Sequence, residues 1–103
     1  MCPPTCPECE KLQLPLNEAK LEEVKSLLST QEVAAVIMEP IIINLGVVIP
    51  EEDFMAGLNK ICKETGTLLI MDEAITGFGR TGKMFATEHF DVEPDILCMA
   101  KAI

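Results

Sequence analysis

Apolar positions along this chain fall into two kinds of run. In the first, Leu21, Val24, Leu27 and Leu28 recur at the spacing of one helix face. That spacing predicts a helix from Asn17, whose short amide side chain suits an N-cap, to about Thr30. Phe54, Leu58, Ile61 and Cys62 follow i, i+4, i+7, i+8 and predict a second helix, opened by Pro50 and closed by Gly66. The second kind of run is apolar throughout: Val33 to Met38, Thr67 to Met71 and Ile96 to Met99. Short runs without alternation read as strands covered on both faces, the habit of parallel sheets inside larger proteins. Ile41 to Ile49 is broken by Asn44 and Gly46, so it reads as a loop with extended pieces. Residues 1–16 hold four prolines and three cysteines and show no period. Strand, helix, strand, loop, strand implies an α/β fold with parallel pairing. The expected architecture is a partial parallel sheet of about three strands with two helices, spanning 17–103 behind an irregular Cys/Pro-rich segment.

Composition narrows the function classes. A length of 103 residues allows one small domain, and 49% apolar is high for so small a chain, which suits a slice of a larger sheet protein. Eight basic against 17 acidic residues give a net charge of −9, with no basic stripe able to displace counterions from nucleic acid. No apolar run reaches the length of a membrane span, and Met1-Cys2-Pro3-Pro4 does not begin a signal peptide. Five cysteines cannot all pair internally and read as reduced cytoplasmic thiols. An upstream targeting segment would make the location mitochondrial instead.

The chemistry concentrates where the strands end. In open parallel sheets ligands bind beyond the carboxyl ends of the strands. Glu39 follows the first run, Asp72 and Glu73 the second, and Lys101 the third. One charged strand end alone reads as solvent; three on one rim read as a site. The turn Gly77-Phe78-Gly79-Arg80-Thr81-Gly82-Lys83-Met84 follows phosphate-loop spacing until Met84, which has no hydroxyl for magnesium. The strand ending in Asp72-Glu73 also lies too near that loop to form the other half of a nucleotide site. Cys2, Cys6 and Cys9 have the spacing of an iron–sulfur loop, but only one residue precedes Cys2, and a zinc site would need a fourth ligand, with Cys62, Cys98 or His89 as distant candidates. No metal is expected. Cys62, Cys98, Met38, Met71 and Met99 read as core residues. His89 reads as structural, and Glu18, Lys20, Glu22, Glu23 and Lys25 as the solvated face of the first helix.

From Val33 onward the sequence resembles the class III aminotransferases, enzymes of the type I pyridoxal-phosphate fold. The residues that carry it are Val36-Ile37-Met38-Glu39-Pro40, Gly66 to Glu73, Thr76 to Lys83, Glu88-His89-Phe90, Pro94-Asp95-Ile96 and Ala100-Lys101. No resemblance is evident over residues 1–32. The resemblance implies that 17–103 belong to the large cofactor-binding domain, ending just after the Schiff-base lysine. It implies pyridoxal 5'-phosphate as cofactor, with Lys101 bonding its aldehyde and Asp72 pairing with its ring nitrogen. Ala74 and Ile75 would lie against the ring, and Glu39 and Asn44 on the rim. The partners it implies are a small-molecule amino donor and an oxo-acid acceptor, within a homodimer in full-length members.

Three departures from the family pattern bear on substrate. Asn44 stands where many members carry a glutamate, as in glutamate-1-semialdehyde aminomutases, so an aminomutase of the same fold is the nearest alternative. Ala74 replaces a valine behind the ring, and Ile75 a glutamine that would reach the ring hydroxyl. The family's phosphate-binding loop, stacking aromatic and small domain are expected outside this stretch. The chain alone is therefore expected to be catalytically inert and sticky, and a non-catalytic truncated product is the third reading.

Overall fold

The computed structural model describes residues 16–43, 46–90 and 92–101. Cys2, Cys6, Cys9 and Asn44 lie outside the described residues. Asn17 is extended and its side-chain oxygen accepts the Lys20 N–H at 3.2 Å, starting helix α1, Glu18–Leu28. Val24 and Leu28 are buried on one face. Glu22, Glu23 and Lys25 are exposed as the pattern predicts, but Lys20 is not. Its side chain is 17% exposed and pairs with Glu23 at 2.9 Å, because a lysine stem can lie along apolar surface while its amine reaches outward.

Strand β1 is Ala35–Met38, two residues shorter than its apolar run. Ala34 still accepts the Leu68 N–H at 3.0 Å, but there the ladder ends. After a two-residue antiparallel bridge between Ile42 and Val48, helix α2 runs Phe54–Thr65. It begins four residues after Pro50, not at it. The Glu51 N–H is held by the Leu16 carbonyl at 3.1 Å, and Asp53 adopts a left-handed φ of 68°, so no helix can pass through them. Gly66 closes α2 at a φ of 71°, as glycine permits, and the Thr67 N–H reaches back to the Cys62 carbonyl. Phe54, Met55, Leu58, Ile61 and Cys62 form the buried face.

Strands β2, Leu68–Glu73, and β3, Ile96–Met99, complete a parallel sheet in the order β1-β2-β3. Ala35 pairs with Leu68 and Met38 with Met71; Ile70 pairs with Ile96 and Glu73 with Met99. Asp95 fixes the entry to β3, donating its N–H to the Leu69 carbonyl and accepting the Leu69 N–H on its side chain at 2.7 Å. Successive strand residues face opposite sides of the sheet. Leu69, Met71 and Glu73 are buried on the helix side. The other side carries Ile37, Leu68 and Ile96, which are 61%, 46% and 45% exposed. Among the described residues the strands are thus covered on one face only, whereas the apolar runs read as covered on both. Met99 is also exposed and Cys98 half-buried, whereas Met71 and Cys62 are core as expected. Between β2 and β3 the chain makes turns and a 3-10 helix, Ala86–His89.

Candidate functional site

Parallel strands carry their carboxyl ends to one edge, and the charged residues follow. Glu39 comes directly after β1 and is half-buried. Asp72 lies inside β2, one residue before its end, opposite Cys98 on β3. Lys101 lies two residues beyond β3, exposed, with a left-handed backbone φ of 64°. A lysine rarely takes that conformation, since it costs about 1–2 kcal/mol, and here it redirects the chain as it leaves β3. Asp72 and Lys101 therefore share the edge of neighbouring strands, with Asp72 on the sheet face away from the helices.

The Asp72 carboxylate is oriented locally. Its Oδ1 accepts the Ala74 N–H at 3.1 Å, an Asx turn that fixes the side chain against its own backbone. Ala74 and Ile75 are half-buried in the turn that follows. Asn44, expected on the rim, lies outside the described residues.

Glu73 is not a rim residue. It ends β2 facing the helix side and is fully buried. Its Oε1 accepts the Thr76 hydroxyl at 3.0 Å and the Ala86 N–H; its Oε2 accepts the Thr87 N–H at 3.2 Å and the Thr87 hydroxyl. Four donors, three at the start of the 3-10 helix and one in the turn at Thr76, offset the cost of burying a carboxylate. The signal was available in the sequence: two adjacent residues of one strand cannot face the same side, so Asp72 and Glu73 had to separate.

The glycine-rich segment is a chain of turns leading to the four-residue 3-10 helix, so it is not built as a strand-to-helix phosphate loop. The Gly77 N–H bonds the Glu73 carbonyl at 3.0 Å. A Cβ at Gly77 would come within 2.9 Å of that same carbonyl oxygen, which is why glycine stands there. Phe78 and Phe85 meet edge to face with centroids 5.4 Å apart. The His89 Nε2 lies 2.9 Å from the Thr81 carbonyl and 3.1 Å from its hydroxyl, a structural contact across the turn. An open hollow of about 320 Å³ is lined by Glu52, Asp53, Met55, Ala56, His89 and Phe90 and includes neither Asp72 nor Lys101. Cys62 lies in the core, where burial, reinforced by the Asp95 charge, pushes its thiol up from 9.0 to about 11. Among the described residues no group of three or more His, Cys, Asp or Glu could hold a metal ion, and no helix is long and apolar enough to cross a membrane.

The described residues form a parallel α/β sheet with an acid and an amine at the carboxyl edge of adjoining strands. A family model for class III aminotransferases matches residues 1–103, and the chain belongs to that family. The match includes residues 1–32, where the sequence reading found no resemblance. Over 72 residues the chain is 56% identical to a putrescine aminotransferase of Pectobacterium atrosepticum, covering 70% of this chain and 15% of that protein. Among solved structures, ornithine delta-aminotransferase of Plasmodium falciparum matches at a TM-score of 0.74 and 37% identity, over 77% of this chain and 21% of its own. An omega transaminase of Pseudomonas jessenii matches at 0.77 and 33%, over 82% and 19%. The chain spans about 15% of the length of this curated relative.

Proposed function

We propose that this chain supplies the ring-nitrogen carboxylate and the aldehyde-bonding amine of a pyridoxal 5'-phosphate-dependent aminotransferase site. The observation that carries the proposal is the shared edge: Asp72 on β2 and Lys101 just past β3, on neighbouring parallel strands of a class III chain. The donor set suits the cofactor. A carboxylate beside a pyridine nitrogen favours the protonated ring, and a primary amine is the group an aldehyde bonds. When bound, the cofactor supplies an electron sink for the carbanion left as the substrate's proton departs. Asp72 holds the charge that keeps that sink effective, with its Oδ1 anchored on Ala74. Lys101, with its Nζ free, would be the residue that takes up the substrate's proton and carries it. Ala74 and Ile75 would flank the ring, and Glu39 and Asn44 would line the rim.

The relatives named for putrescine, ornithine and omega transamination favour a donor with a primary amine at the end of an aliphatic chain, and an oxo acid as acceptor. They support transamination over the aminomutase reading, which rests on Asn44. A homodimer in the cytoplasm completes the proposal, by analogy with full-length members of the family. Incubation with pyridoxal 5'-phosphate, borohydride reduction and peptide mapping tests it. Lys101 should carry several-fold more label than the average of the other six lysines. Equal labelling of all seven would overturn the assignment.

A further inference from the structure

A fully buried carboxylate with four hydrogen-bond donors and a neighbour on the candidate site calls for an account of its own. Glu73 joins three pieces of chain: the end of β2, the turn at Thr76, and the 3-10 helix at Ala86 and Thr87. The same turn is tied a second time, through the Gly77 N–H on the Glu73 carbonyl. Ala74 lies between these two attachments, and its N–H orients Asp72. Asp72 is thus held by a donor whose own position depends on what Glu73 grips. Rotation of Ala74 by a loosened turn would release Oδ1 and let the carboxylate swing, since a half-buried aspartate has several rotamers available.

We propose that Glu73 is a positioning residue for Asp72: its carboxylate clamps the 74–87 segment to β2, and the clamp fixes the Ala74 N–H that aims the Asp72 side chain. The clamp rests on the reading of Asp72 as the ring-nitrogen partner for its functional meaning, but the mechanical link stands on this chain's own hydrogen bonds. Alternation along β2 makes the arrangement economical, because adjacent carboxylates on opposite faces serve one turn from both sides. An amide in place of the carboxylate would present an NH₂ group to donors and break at least one contact.

Amide hydrogen exchange on the intact chain tests the link without any cofactor. Thr87→Val and Thr76→Val each delete one hydroxyl donor to Glu73 while keeping side-chain volume, and Glu73→Gln disrupts the clamp more fully. With the two threonine variants folded, the Ala74 amide should exchange about tenfold faster, the size expected for losing roughly one hydrogen bond of order. Leu69 and Met71, in the ladder of the same strand, should change by less than twofold. Ala74 exchange that stays at the parent rate, or rises only in step with Leu69 and Met71, would overturn the clamp. The reading of the site fails separately, through the distribution of label on Lys101, so each result points to one claim.

Discussion

Cys62 shows how one residue carries a pH dependence that the sequence pattern alone does not reveal. Its thiol is on the buried face of α2, and burial with the Asp95 charge raises its ionisation to about 11. The unfolded chain ionises this thiol near 9, so between about pH 9 and 11 the unfolded state gives up its proton first. The stabilisation is therefore whole below pH 9 and lost as pH rises through 11. Urea midpoints taken at pH 8, 9.5 and 11 should fall with pH more steeply for the parent than for Cys62→Ala. Identical slopes would refute the assignment. Asp72 and Glu73 teach the complementary lesson. Both were legible as a charged strand end, but only the alternation of β2 tells which carboxylate faces away from the helices and which becomes a buried fastening.

At the scale of elements, the two glycines Gly57 and Gly77 separate backbone constraint from side-chain contact. A Cβ on Gly57 would meet only the end of the Leu21 side chain, at 2.7 Å, which can rotate away. The helix itself gains about 1 kcal/mol from replacing an interior glycine by alanine. Gly57→Ala is expected to be near neutral in thermal unfolding. Gly77→Ala brings its Cβ against the Glu73 carbonyl at 2.9 Å, a backbone atom tied into the turn, and should cost roughly 1–3 kcal/mol. A Gly77→Ala variant as stable as Gly57→Ala would contradict the role given to the turn. Periodicity found both helices and all three strands because each has an apolar face or run of its own. It misplaced the start of α2 because the signal at Pro50 was local, whereas the Glu51 N–H is taken by Leu16, far away in sequence. It also cut β2 short at Met71, since charged residues can continue a strand when one of them faces a buried network.

At the scale of the molecule, the described residues form a sheet with helices on one side. Ile37, Leu68 and Ile96 mark the exposed face of that sheet, the face on which Asp72 also lies. The apolar runs did announce that both strand faces are built for burial; which face is covered here depends on contacts that no local pattern encodes. The candidate site was named from the motif around Asp72 and from Lys101, while the fastening of the glycine turn by Glu73 required coordinates. What binds these levels together is the proposed partnership of an acid and an amine on adjoining strand ends. Its most direct test is borohydride labelling repeated on Asp72→Ala at matched folded fraction, with the label on Lys101 divided by the mean for the other six lysines. The ratio should exceed unity several-fold in the parent and fall towards one in the variant. A ratio that the substitution leaves unchanged would contradict the partnership.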